Sequence, residues 1–246
     1  MKGASYGTLS FWVESISKLE GDFDTYVYLN DLPSADLQRA RRILKAAGMR
    51  CEHKTYHHPV DCRQKRRISS ENLLPYKRFS IIRNHILEYA ADYDYLFSVD
   101  SDVLCRPNAL KKLLELQKQT GAVLISLLVN NTVRYGRFGK DAIYNYGQVR
   151  PTFLGTRGAK IIEDKCIPCE YTGACCLINL QFIREHGIKY TPSEHGEDIG
   201  FCEEIIKHKG KVMVYTGRMQ ECFHIQDPWI IGRIQSFMKG KFPYKV

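Results

Sequence analysis

Short runs rich in β-branched and aromatic residues alternate along this chain with longer stretches whose apolar positions recur at helical spacing. Thr25 to Leu29 is a strand-type run that ends at Asn30-Asp31. Ser34 is placed to cap the helix that follows, Asp36 suits its first turn, and Leu37, Ala40, Leu44 and Ala47 form its apolar face. Gly48 supplies the stop, and Met49 to Tyr56 reads as a second short strand. Asp61 to Glu71 is polar and basic, a loop pattern. Pro75 suits a first helical turn, with Phe79, Ile82, Ile86 and Tyr89 on one face. Tyr95 to Val99 is the next strand, and Asp100-Ser101-Asp102 follows at its carboxyl end. Pro107 opens a helix carrying Leu110, Leu113 and Leu114, and Ala122 to Val129 has the unbroken apolar character of a buried strand.

From Asn130 to Glu170 the pattern is irregular and rich in Gly, Arg, Tyr and Lys, as expected of loops over a site. Regularity returns with a strand at Cys175 to Ile178, a helix at Gln181 to His186, a helix from Asp198 to Lys209 and a strand at Val212 to Thr216. A further helix is expected near the start, from Thr8 to Leu19. Strands alternating with helices predict an α/β sheet sandwiched by helices, whose ligands lie at the carboxyl ends of strands. Asp31 and the Asp100/Asp102 pair both occupy such ends.

Composition narrows the possibilities without choosing among them. The chain has 246 residues, 44% hydrophobic and 26% charged, which excludes disordered and collagenous classes and suits one domain, or one with a lobe added. No run approaches the roughly 18 apolar residues of a membrane-spanning helix. Met1 to Leu9 lacks the apolar core of a signal peptide, so a cytoplasmic location is expected. The formal charge of +9 favours anionic partners. Clusters occur at Arg63 to Arg67 and at Lys239, Lys241 and Lys245, each read first as a solvated face. Recognition motifs and a dense basic stripe for nucleic acid are lacking, as is a glycine-rich phosphate loop. Nine cysteines without an export signal suggest reduced thiols buried as small hydrophobes. Cys166-x-x-Cys169 with Cys175-Cys176 has irregular spacing for zinc, because adjacent cysteines on a strand face opposite ways.

Three features carry chemistry. Asp100 and Asp102 place two carboxylates at the mouth of the sheet, where like charges repel and a divalent cation, Mg²⁺ or Mn²⁺, relieves the repulsion. The competing reading is an exposed turn with a capping Asp. Glu197-Asp198 opens a helix, where acids stabilise the dipole, yet a carboxylate there also suits a general base for an incoming hydroxyl. His224 follows the last strand; a lone His is commonly structural, but beside two Asp its ring nitrogen completes a metal site.

Together these segments resemble a GT-A glycosyltransferase of the broad family 2 type. The resemblance rests on Tyr28-Leu29-Asn30-Asp31, Arg83-Asn84, Tyr95 to Asp102, Tyr171-Thr172-Gly173-Ala174, Gly196-Glu197-Asp198 and His224, in that order. It implies a GT-A-like, Rossmann-type mixed sheet over residues 1–228. It also implies transfer of a sugar from a nucleotide-diphosphate donor, commonly a uridine diphosphate sugar, with inversion at the anomeric carbon. Asp31 would bond the base, Arg83 the nucleotide, and Asn84 would orient that segment. Asp100 would face the ribose or metal, Asp102 and His224 would bind the metal, and Gly173 and Ala174 would admit the donor sugar. Asp198 would be the base and Glu197 would place the acceptor, whether glycan, lipid-linked or protein. The family's usual first strand is not found before the Thr8 to Leu19 helix, which leaves open a non-catalytic nucleotide-sugar-binding or scaffold role. Residues 229–246 form a basic amphipathic segment, read either as a helix packed on the core or as a peripheral membrane contact.

Overall fold

The computed structural model describes residues 6–55, 74–129, 146–148, 154–155, 165–193, 196–216, 222–225 and 231–239. The expected loop at 61–71, the cluster at 63–67, most of the irregular 130–164 stretch, His195, Trp229, Ile230, Lys241 and Lys245 lie outside the described residues. In chain order the elements are α1 (Tyr6–Ser17), β1 (Tyr26–Asn30), α2 (Ser34–Ala46), β2 (Arg50–Lys54), α3 (Leu74–Tyr89), β3 (Tyr95–Val99), β4 (Val103–Cys105), α4 (Ala109–Thr120) and β5 (Leu124–Leu127). There follow β6 (Tyr146–Gln148), β7 (Leu154–Gly155), β8 (Lys165–Pro168), β9 (Tyr171–Thr172), β10 (Cys175–Asn179), α5 (Leu180–Glu185), α6 (Glu197–Lys207), β11 (Val212–Thr216), β12 (Cys222–His224) and α7 (Ile231–Met238).

The main sheet has strand order β3-β10-β5-β11-β8. β5 and β11 are parallel, while β10 runs antiparallel to both β3 and β5, so the sheet is mixed. A separate parallel pair, β1-β2, lies beside it, and β4 pairs antiparallel with β12 in a short ribbon. β6 joins β7 and β9 in a third small sheet.

Helices cover both faces of the main sheet, as the alternating pattern predicts. One core is built by Leu9, Trp12 and Ile16 of α1, Ala40 and Leu44 of α2, Leu113 of α4 and Phe237 of α7. The other gathers Ala90, Leu180 and Ile183, with Phe201, Cys202 and Ile205 of α6. Cys175 belongs to the first core and its neighbour Cys176 to the second, as strand alternation requires. Both thiols are buried, and burial pushes the Cys176 thiol up to about 12.

Several boundaries differ from the sequence reading. Pro33, not Ser34, is the residue preceding α2, and Leu37 N donates to Pro33 O at 2.8 Å in place of a side-chain cap. α4 begins after Asn108, two residues beyond the Pro107 boundary. On α3 the expected apolar stripe is only partly covered. Ile82 is buried, while Phe79 and Tyr89 are each 40% exposed. The reason is a cavity, described below, that lies under this face. In the C-terminal segment, Phe237 is buried and its carbonyl accepts from Arg106 Nη1 at 2.6 Å, so this apolar residue of α7 belongs to the core.

Helix α6 is set close to the chain before it. At Gly200 a Cβ would fall 2.5 Å from the Thr191 carbonyl oxygen, so only glycine allows this approach. Gly200→Ala is therefore expected to lower stability by about 1–3 kcal/mol, read as a reduced urea midpoint. An unchanged midpoint would show that α6 has room to shift.

Candidate active site at the carboxyl end of the sheet

β3 ends at Val99, just before Asp100, and β10 begins beside it. Their antiparallel register pairs Cys175 with Val99, and Asp100 N donates to Ala174 O at 2.8 Å. Gly173 and Ala174 thereby reach the carboxyl end of β3. Ala174 holds φ +65, a left-handed backbone that alanine adopts at a cost and that turns the chain sharply into β10. Gly173 backs directly onto Asp198, where a Cβ would stand 2.3 Å from Oδ2.

Arg83, projecting from α3, is the centre of the group. Its Nη2 donates to Asp100 Oδ1 at 2.7 Å and its Nη1 to Ser98 Oγ at 3.0 Å. Glu197 Oε1 and Asp198 Oδ1 each stand 4.0 Å from the guanidinium. Burial disfavours its charge, but Asp100, Asp198, Tyr190 and Glu197 together hold the Arg83 pKa well above its ordinary value. The guanidinium thus stays charged and lets three acids share a small volume.

The acids feel each other. Burial, with Asp198 adding repulsion, pushes the Glu197 carboxyl up to about 7. Burial also raises Asp198; Arg83 lowers it and Asp100 raises it again. Both side chains open α6, where the helix N-terminus favours negative charge.

Asp102 and His224 form a second pair. β4 and β12 place His224 opposite Val103, Ile225 N donates to Asp102 O at 2.6 Å, and His224 Nε2 lies 3.1 Å from Asp102 Oδ2. This ribbon was not visible in the sequence pattern. Asp100 Oδ1 is engaged by Arg83. Among the described residues no cluster of three or more His, Cys, Asp or Glu side chains is arranged to hold a metal. The Asp102 oxygens and the His224 ring nitrogen are nonetheless a donor pair suited to a hard or borderline cation that draws further ligands from a diphosphate or water.

Asp31, at the end of β1, has φ 53 and its Oδ2 accepts from Arg78 Nη1 at 3.2 Å. Asp31, Arg83, Asp100, Asp102, Glu197 and Asp198 all border one cavity of about 1600 Å³. Gly173 touches this group through Asp198, and His224 through Asp102.

Some participants were missed in the sequence. Arg78 had a faint signal, as a second arginine on the helix that presents Arg83. Ser98 is hidden within an apolar strand. Tyr190 had none: its ring lies under Arg83, 6.0 Å from guanidinium to centroid, and its backbone is held by Asn84 across 106 residues.

No family model matches the chain, and no curated protein matches it. Among solved structures it is similar to S. aureus TarS 1–349 in complex with UDP-GlcNAc, with a TM-score of 0.54 at 11% identity, over 87% of this chain and 54% of that one. The fold is that of GT-A-type nucleotide-diphospho-sugar transferases. A second structure of S. aureus TarS 1–349 gives a TM-score of 0.54 at 12% identity, over 90% of this chain and 57% of that one. The chain therefore spans little more than half of these GT-A structures. Its mixed sheet between helices agrees with the architecture expected from the ordered motifs. No described helix is long and apolar enough to cross a membrane.

The raised Glu197 carboxyl has a thermodynamic consequence. Folded protein holds this proton more tightly than unfolded protein, so the group's contribution to stability falls as pH rises from 4.5 to about 7 and is level above that. Glu197→Gln is expected to flatten this part of the urea-midpoint profile. Equal slopes for the two proteins would remove the assignment.

Proposed function

We propose that the protein transfers a sugar from a nucleotide-diphosphate donor, most simply a uridine diphosphate sugar, to an acceptor hydroxyl. The observation that carries this reading is the convergence on one cavity of the strand-end acids Asp31, Asp100 and Asp102 with the helix-end acid Asp198, from sites far apart in sequence. The fold shared with TarS, solved with UDP-GlcNAc, supports the donor class.

In this reading Asp31 and Arg83 contact the nucleotide, Asp100 faces the ribose, and Gly173 and Ala174 leave room for the donor sugar. Asp102 and His224 would hold Mn²⁺ or Mg²⁺. When bound, such a cation supplies positive charge beside the diphosphate. Asp198 accepts the proton of the acceptor hydroxyl, whose oxygen bonds to the anomeric carbon as the bond from that carbon to the phosphate oxygen breaks. The electron pair leaves with the nucleoside diphosphate, and attack from the opposite face inverts the anomeric centre. Arg83 keeps Asp198 available as a base by opposing the effect of burial on its carboxyl. Glu197, partly protonated near neutral pH, is suited to hold an acceptor oxygen.

A second reading, donor binding without transfer, is favoured by the break between the β1-β2 pair and the main sheet. Release of nucleoside diphosphate in the presence of acceptor separates the two.

Asp198→Asn is expected to reduce transfer by about 10²–10⁴-fold while leaving donor affinity within a few-fold, measured by diphosphate release and calorimetry. Parallel loss of binding and turnover would refute the base. A panel of nucleotide sugars with and without Mn²⁺ is expected to give a metal-dependent thermal shift that Asp102→Asn abolishes. A shift of the same size in the variant would take the cation away from Asp102.

A further inference from the structure

His186 and His208 are the C-cap residues of α5 and α6. Their rings meet edge to face, with centroids 5.0 Å apart and planes inclined at 63°. Neither residue borders the cavity. α6 has 11 residues, so about 16 Å of helix separates this corner from Glu197 and Asp198 at its other end. His186 is exposed and His208 half-buried, so the corner is open to solvent on one side.

An edge-to-face contact is ordinary for two aromatic rings. The state of the ring nitrogens adds more. His186 Nδ1 lies 3.0 Å from the Phe182 carbonyl oxygen. A carbonyl only accepts, so Nδ1 carries the proton and Nε2 of the neutral ring presents its lone pair. A backbone carbonyl that holds one ring N–H is a recurring second contact of metal-bound histidines. The Phe182 ring stacks on His186, with centroids 4.2 Å apart, and is itself packed against the second core, so the His186 ring is fixed from two sides. Among the described residues no side chain or carbonyl takes up His186 Nε2 or the ring nitrogens of His208.

The spacing suits a shared ion. Two imidazoles on one tetrahedral Zn²⁺, each with a bond of about 2.1 Å, have ring centroids about 5 Å apart. The closing carbonyls of α6 favour positive charge at this end of the helix. Lys207, the neighbour of His208, is drawn to Glu204 at 3.3 Å.

We propose that His186 and His208 form a two-histidine site for a divalent transition ion of the zinc type, with water completing its shell. Imidazole nitrogen suits such an ion better than Mg²⁺ or Mn²⁺, whose preferred ligands are oxygens, so the site is chemically distinct from Asp102 and His224. The ion serves as a clip. The segment between its ligands carries Tyr190, which Asn84 holds, Thr191, which packs on Gly200, and the Glu197-Asp198 corner. A bound ion ties the two ends of that segment and restricts it most when it would otherwise unfold.

The test uses Zn²⁺ alone with the full chain. At about 100 µM Zn²⁺ is expected to raise Tm by about 2–4 °C. The rise is expected to vanish in His186→Gln and in His208→Gln and to remain in Asp102→Asn. In the unsubstituted chain, Zn²⁺ is expected to slow amide exchange at residues 186–188 and 208–210 by about threefold or more, and Mg²⁺ to leave it unchanged there. Survival of the rise in either histidine variant, its loss in Asp102→Asn instead, or a rise only at millimolar Zn²⁺ would overturn the site. Unaltered exchange in the unsubstituted chain would do so as well, whether or not the variants fold. No nucleotide or sugar enters these readouts, so the outcome is independent of the transfer reading.

Discussion

A single buried guanidinium makes the rest of the site possible. Asp100, Glu197 and Asp198 come from two distant parts of the chain, and without Arg83 their mutual repulsion and the loss of water would drive them to take up protons or move apart. Arg83 offers a fork of donors fixed at one edge by Ser98 and at another by Asp100, which leaves the more distant Glu197 and Asp198 in its field without binding them tightly. The arrangement suits a catalytic role, since a carboxylate locked into a short ion pair is a poor proton acceptor.

The backbone supports this centre with little slack. Gly173 has no room for a side chain because Asp198 lies against it, and Gly200 has none because Thr191 does. The start of α6 is therefore fixed from two directions, by the turn into β10 and by the segment that leads to the helix. Ala174 accepts an unfavourable left-handed backbone at the same turn. Strain and close approach are thus concentrated where the acids meet, while the two cores on either side are ordinary apolar packing.

Much of this was legible in the sequence, for physical reasons that differ by element. The apolar runs at 95–99 and 212–216 identified β3 and β11, because strands of a sheet flanked by helices on both faces have few polar positions. The strand-end acids stood out through their placement, because ligands of an α/β sheet lie at the carboxyl ends of its strands. The β4-β12 ribbon was not legible: it has three residues in each strand, too few for a period to register. Asn84 was assigned a positioning role through the family resemblance, but its partner, the Tyr190 backbone, depends on tertiary packing. The stripe on α3 was legible only as an apolar face and not as half-covered, since periodicity reports which residues are apolar and is silent about what covers them.

Asn84 acts as a substitute peptide group. Its side-chain amide gives one hydrogen bond to the Tyr190 carbonyl, at 2.9 Å, and takes one from the Tyr190 N–H, at 2.8 Å. That is a single rung of sheet made between a helix and a loop. Lateral movement of α3 is consequently transmitted to the loop before α6, so the side of the cavity that Arg83 borders and the side that Asp198 borders are mechanically geared to one another.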